Sequence, residues 1–348
     1  MFIPIKNLYY LLSYAWNKLT PGEPVEVAGD GPTELLQLLA RVFNEATRTV
    51  LKRGLDQQYR TVARDLAGVK GKLQYSTTLR NHLLLQQKTH CAFDEFSALT
   101  LPNQILSAVL HKLIRSPALD RSLRRTSRQL LAHFPQIPPR KIQPSDFAQL
   151  RQQHSHQSYQ LALSVAELLY RQLLPGESPG TYRFLDFRRD ERQMSQLFET
   201  FLFQFYRREQ APYRVRRELI HWHLRPAHAP HRDYLPLMRT DLSLESATEK
   251  IIIDAKYYRR TLQEYFDKRS IQSSNLYQIF SYLLNQESAE ARSRQTRGIL
   301  LYPTTTADRD LVYHWEGLPL EIRTVDLSRD WREIHQRLLD LIAWDEGG

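Results

Sequence analysis

A β-branched triplet, Ile251-Ile252-Ile253, runs without a break into Asp254-Ala255-Lys256. The triplet has the composition of a strand covered by a core. Side chains two apart leave a strand on one side, so Asp254 and Lys256 project together while Ala255 points away. The run 237–244 alternates with the same period, and Glu245-Ser246-Ala247-Thr248-Glu249 between the two runs suits a hairpin loop. Antiparallel pairing across that loop brings Asp241 beside Asp254. Two carboxylates and one ammonium then share one patch at the end of an apolar strand, which is costly unless the charges are paired or hold a cation. Carboxylate oxygens from separate strands, with room left for water and a phosphate, are what Mg2+ asks for. The Asp-x-Lys spacing alone describes no more than an ion pair at a strand end.

Its neighbours change that reading. Upstream, a helix is expected from Asp190 to Glu209, with Met194, Leu197, Phe198, Phe201, Leu202 and Phe205 as an apolar stripe and Glu199 at its border. Downstream, a helix follows Ser273-Ser274 as caps and buries Leu276, Ile279, Phe280 and Leu283. Gln278 and Tyr282 are four apart and stack on one face of it. A strand Gly298-Ile299-Leu300-Leu301-Tyr302 comes next, ended by Pro303.

With this order of helix, strands, helix and strand, the region resembles the PD-(D/E)xK nucleases. Asp241 and Asp254-Ala255-Lys256 match the acidic and acidic-x-Lys positions, with Thr240 where the motif name has proline. Glu199 matches the glutamate that many members carry on a helix, and Gln278-x-x-x-Tyr282 matches the motif of the RecB-like branch. The opening segment Ile3-Pro4-Ile5-Lys6-Asn7-Leu8-Tyr9-Tyr10-Leu11-Leu12-Ser13-Tyr14-Ala15-Trp16 looks like that of the McrC family, the nuclease subunits of modified-cytosine restriction systems. Tyr182-Arg183-Phe184-Leu185-Asp186-Phe187 and Ser274-Asn275-Leu276-Tyr277-Gln278 are similar to that family too. The resemblance implies an Mg2+-dependent endonuclease acting on double-stranded DNA. Asp241, Asp254 and Glu199 would be its metal ligands, Lys256 would orient the attacking water, and Gln278 and Tyr282 would brace the site. It also implies an N-terminal domain docked on a ring-forming AAA+ GTPase, so that GTP acts only through the partner. A stand-alone RecB-like repair or phage-defence nuclease would share this site, and a non-catalytic DNA-binding adaptor would have lost part of it.

At 348 residues the chain is long enough for two domains with separate cores. Lys and Arg number 48 against 38 Asp and Glu, and the formal charge of +10 favours a polyanionic partner. The single cysteine, Cys91, excludes an internal disulfide and fits a reducing cytoplasm. Neither a signal peptide nor a run long enough to span a bilayer is expected.

Along the chain, two helices around a break at Pro21-Gly22 give way to β-prone pieces over 61–96. In that section Gly68-Val69-Lys70-Gly71-Lys72-Leu73 lacks the spacing of a phosphate-binding loop. Helix returns over 101–134, where Arg121, Arg124, Arg125 and Arg128 share a face that reads as solvated, with DNA or partner contact as the alternative. After the proline-rich 134–139 comes a helix over 161–173, then Leu174-Pro175-Gly176-Glu177-Ser178-Pro179-Gly180, read as a linker. Arginines 183, 188, 189, 207, 208, 214, 216 and 217, interleaved with Tyr206, Tyr213 and Trp222, suit phosphate contact. His221, His223, His228 and His231 lack zinc spacing and read as strand and loop. A strand pair over 311–315 and 318–325 and a helix over 330–344 close the chain.

The expected fold class is α/β (α+β overall). Residues 181–348 form a PD-(D/E)xK endonuclease domain with a mixed central sheet flanked by helices. Residues 1–175 form a partner-docking domain, mostly helical, with a small β section.

Overall fold

A computed structural model describes residues 3–17, 29–134, 137, 140–152, 158–222, 234–258, 271–286, 295–315 and 318–343. It divides into one unit made of Met1–Glu34 with Asp186–Gly348 and a second made of Leu35–Leu185. The boundary is therefore not the single linker expected at 175–181. The opening helix α1 (Ile5–Trp16) belongs to the C-terminal unit, where Asn7 Nδ2 donates to the carbonyls of Leu327 at 2.8 Å and Arg329 at 2.6 Å.

The second unit begins with α2 (Pro32–Arg53), continues through β1 (Gln58–Leu66), β2 (Lys72–Leu73), α3 (Tyr75–Arg80) and β3 (Thr89–Ser97), and returns to helix in α4 (Leu101–Ile114) and α5 (Arg121–Leu131). α6 (Pro144–Gln152), which the sequence reading passed over, precedes α7 (Gln160–Gln172). Leu35, Leu39 and Phe43 of α2, Ile105, Val109 and Leu113 of α4, and Val165 and Leu169 of α7 are fully buried. Asn103 ties this core together, donating to the carbonyls of Asp56 and Ala98 and accepting from the Tyr159 hydroxyl. The expected linker is instead a hairpin: β4 (Leu173–Pro175) pairs antiparallel with β5 (Tyr182–Phe184), and the proline and glycines supply its turn. β1, β3 and β2 form an antiparallel sheet in the order β1-β3-β2.

The other unit resumes with α8 (Glu191–Glu209), whose N-cap Asp190 accepts from the Gln193 N–H at 3.1 Å. There follow β6 (Arg214–Arg216), β7 (Leu219–Ile220), β8 (Met238–Arg239), β9 (Leu242–Glu245), β10 (Glu249–Ala255), α9 (Ser273–Leu284), β11 (Gln295–Thr304), β12 (Asp310–Trp315), β13 (Leu318–Asp326) and α10 (Trp331–Ile342). Six of the strands make one mixed sheet in the order β12-β13-β11-β10-β9-β6, with β10 and β13 parallel to β11 and the other neighbours antiparallel. This is the mixed central sheet flanked by helices that the sequence predicts.

β10 is buried along nearly its whole length because both faces are covered. Ile252 packs with Leu300, Ile279 and Leu283 under α9, while Ile251 and Ile253, which leave on the other side, are also fully buried. α8 packs on α1 through Phe201 and Phe205 against Tyr14, with ring centroids 5.6 and 5.3 Å apart. Truncating one such buried ring costs about 3–5 kcal/mol, so α1 is integral to this unit.

Three local expectations shift. The run 237–244 is not one strand: it breaks at Thr240-Asp241, and β8 pairs with β7 outside the main sheet. Ser273 and Ser274 lie inside the first turn of α9, with Gln272 at the cap position. β11 runs through Pro303 to Thr304. Its residues alternate between neighbours, Leu301 accepting from Lys256 N–H toward β10 and Thr304 from Leu327 N–H toward β13. Pro303 therefore turns its missing N–H toward β10, whose pairing has already ended at Ala255. Pro21-Gly22, His223, His228, His231 and Trp344 lie outside the described residues.

Candidate active site

The sheet delivers the acidic pair by register. β9 and β10 pair antiparallel up to Leu242 opposite Ile253, which leaves Asp241 opposite Asp254 at the next step. There the ladder stops, and Oδ2 of Asp241 accepts the Ala255 N–H at 2.8 Å. Thr240 is buried, and its hydroxyl accepts from the Glu218 N–H at 2.9 Å and lies 3.0 Å from the Ser243 hydroxyl. These bonds fix the break that turns Asp241 out of the strand.

Asp254 is fully buried, and neither of its oxygens receives a well-directed hydrogen bond. Lys256 Nζ stands 2.7 Å from Oδ2, close enough for an ion pair but poorly angled for a hydrogen bond. Burial pushes the Asp254 carboxyl up to about 7 against the pull of the Lys256 ammonium, with Asp241 adding to the rise. Asp241 is raised as well, again by burial. A buried acceptor without donors is costly, and a cation would relieve it.

From Lys256 a chain of contacts runs into α9. Its Nζ donates to Gln278 Oε1 at 2.8 Å, Gln278 Nε2 donates to the Tyr282 hydroxyl at 2.6 Å, and that hydroxyl donates to the Arg239 carbonyl at 2.9 Å. Tyr282, on the same helix face as Gln278, is buried, and burial holds its hydroxyl up at about 12.

Glu199 faces the same neighbourhood from α8, where burial and the nearby Asp241 raise its carboxyl. Its Oε1 is paired with Arg217 Nη2 at 2.8 Å. Among the described residues no three His, Cys, Asp or Glu side chains converge as a metal-holding group. Asp241 and Asp254, the latter with its Oδ1 unpartnered, fit one edge of a divalent-cation site. Glu199 does not join them in this arrangement.

Sequence reading missed a second polar cluster beside the first. Asn275 Nδ2 donates to the hydroxyls of Tyr258 at 2.9 Å and Tyr302 at 3.0 Å. The signal was present in the spacing, since Asn275 precedes Gln278 by three on α9 and Tyr258 follows Lys256 by two. Two of the arginines expected to meet phosphate are engaged by carboxylates, one buried and one partly exposed. Arg188 is buried against Asp186 at 2.6 Å, and Arg216 pairs with Glu245 at 2.7 Å.

Comparison with known proteins agrees with this architecture. Residues 5–303 match the family described as McrBC 5-methylcytosine restriction system component. The chain is 31% identical over 341 residues, 97% of each protein, to the type IV methyl-directed restriction enzyme EcoKMcrBC of Escherichia coli strain K12. Its fold is similar, with a TM-score of 0.52 at 16% identity, to a chain of the Thermococcus gammatolerans assembly of McrB AAA+ hexamers with bound McrC, covering 97% of this chain and 76% of that one. The family match over residues 5–303 spans the helical opening, the three-stranded section and most of the sheet that carries Asp241 and Asp254, and on it and the 31% identity the chain belongs to the family of McrBC 5-methylcytosine restriction system components.

Proposed function

We propose that this chain is the DNA-cleaving subunit of its restriction system, a divalent-metal-dependent endonuclease driven by a separate AAA+ GTPase. The observation that carries the reading is Asp254: fully buried, with one oxygen unpartnered and the other met only by the Lys256 ammonium, beside a second carboxylate at the end of a sheet. Such a group is expensive to keep for structure alone and suits cation binding. Asp241 and Asp254 would hold Mg2+, which when bound supplies charge neutralisation at the scissile phosphate and a more acidic water. Lys256, held between Asp254 and Gln278, places an ammonium where negative charge gathers on the phosphate oxygens and orients the attacking water. Gln278 and Tyr282 keep that ammonium in place through the bond to the Arg239 carbonyl.

The partner reading rests on Leu35–Leu185. Tyr59, Val69, Tyr75, Leu79, Leu84, Leu85 and Phe96 of its β section are all more than half exposed, and the Tyr59 and Phe96 rings lie tilted against each other at 5.1 Å. Exposed apolar side chains gathered in one section mark an interaction surface. With the Gly68–Leu73 stretch unlike a phosphate loop, GTP would be hydrolysed by the partner, as expected for a ring of the McrB type. No helix among the described residues is long and apolar enough to cross a membrane.

The test is co-expression with the GTPase of the same system and assay of methylated and unmethylated double-stranded DNA with Mg2+ and GTP. Cleavage is expected only with both proteins and both cofactors. Asp254→Asn is expected to abolish cleavage while preserving the stimulated GTP hydrolysis. Cleavage by the chain alone would instead make it a stand-alone nuclease, and undiminished cutting by the Asn variant would remove the site.

A further inference from the structure

Arg217 lies just ahead of β7, and its pair with Glu199 is only partly covered, the two side chains being 31% and 30% exposed. The Phe203 ring backs the guanidinium at 5.1 Å. Its charge also reaches Asp241, together with those of Lys256 and Arg239. The guanidinium thus stands among carboxylates that would otherwise repel one another. It carries five N–H donors, more than the single carboxylate edge uses. Glu199, the third acidic side chain of the neighbourhood, is engaged with Arg217 and not with Asp241 and Asp254.

Resting on the nuclease reading above, we propose that Arg217 receives a DNA phosphate at the site and that Glu199 is its partner only until that phosphate arrives. A guanidinium fork matches a phosphate in two hydrogen bonds as well as it matches a carboxylate. On the exchange, Glu199 loses its paired counter-ion and turns to a cation held by Asp241 and Asp254, with the Lys256 and Arg239 charges nearby. DNA binding and cation binding are therefore coupled, and the coupling is reciprocal: each tightens the other. A chain without DNA keeps an incomplete cation site. One with DNA completes it.

The experiment uses the full-length protein and Mn2+ titrated calorimetrically without DNA, beside binding of a short DNA duplex over a series of salt concentrations. Arg217→Gln is expected to bind Mn2+ about three- to fivefold more tightly than the unchanged protein, the scale of releasing a partly exposed ion pair. The same variant is expected to lower the salt slope of duplex binding by about one, the loss of one phosphate contact. Glu199→Gln moves the other way, with tighter duplex binding and no gain in Mn2+ affinity, and the double variant loses the Mn2+ gain. A purely structural pair would destabilise both variants without these opposite shifts, which thermal melts separate. Unchanged Mn2+ affinity and salt slope in Arg217→Gln overturn the proposal when Asp254→Asn still weakens Mn2+ binding. If Asp254→Asn also leaves Mn2+ binding untouched, the metal site itself has failed and the proposal falls with it.

Discussion

Oδ2 of Asp241 accepts the main-chain N–H of Ala255 at 2.8 Å, just beyond Leu242 and Ile253, the last paired residues of β9 and β10. One side chain thus ends the β9–β10 ladder and presents a carboxylate. The two duties separate by substitution, because asparagine keeps an acceptor oxygen and loses the charge, whereas alanine loses both. Asp241→Asn is expected to unfold in denaturant at or above the concentration for the unchanged protein, since it also sheds a buried charge. Asp241→Ala is expected to lose about 1 kcal/mol. Neither should cut DNA, and an Asn variant that cuts at full rate would leave Asp241 a structural residue only.

The chain Lys256, Gln278, Tyr282 and Arg239 carbonyl predicts a graded loss of rate. Lys256→Ala removes the ammonium and should cost about a hundredfold or more in kcat. Tyr282→Phe removes only the hydroxyl that anchors Gln278, so Lys256 is loosened but present, and a loss of about tenfold is expected with KM for DNA little changed. Steady-state cleavage kinetics decide the matter. Equal losses in the two variants would mean that Tyr282 touches the substrate itself.

Much of this site is legible in the sequence because its geometry is local. Asp254 and Lys256 are two apart on one strand, Gln278 and Tyr282 four apart on one helix, and Asp190 caps the helix that carries Glu199. What was not legible depends on partners far along the chain. Asn7 bonds to Leu327 across 320 residues, so no composition shift could assign α1 to the C-terminal unit. The break at Asp241 is likewise imposed from outside, by the Glu218 main chain bonded to Thr240, against an alternation that favours one continuous strand. Pro303 reads as a terminator until the strand that ends beside it is known.

The raised Asp254 carboxyl makes a signed prediction about stability. With a folded pKa of about 7 against an unfolded value near 4, the native state holds the proton more tightly. Its contribution is fully present below pH 4 and is lost as pH rises toward 7. Without divalent metal, the unchanged protein should therefore lose stability relative to Asp254→Asn between about pH 4 and pH 7 and keep a constant difference above. Mg2+ should narrow the difference at pH 8, because only the carboxylate gains from the cation. Parallel melting curves for the two proteins across that range would contradict the raised pKa.

Gly298 controls how α9, and with it Gln278 and Tyr282, sits on the sheet. It lies on β11 opposite Ile252, and a Cβ placed there would stand 2.9 Å from Ile279 Cγ1 and 3.0 Å from Leu283 Cδ1. Real side chains do not pack so closely; Leu283 Cδ1 ends a flexible side chain and can give way, but Ile279 Cγ1 is an inner carbon of a β-branched, fully buried residue and gives less, so alanine should be only partly accommodated and valine should lift the helix. Gly298→Val is expected to cost about 1–3 kcal/mol and to lower kcat by drawing Gln278 away from Lys256, with a smaller effect for Gly298→Ala. The cause can be isolated by shortening the residue it strikes: Leu283→Ala alone opens a cavity and destabilises, but combined with Gly298→Val it should cost less than the sum of the two. Denaturant unfolding of the four proteins measures that coupling, and strict additivity would show that the glycine is not there to seat the helix.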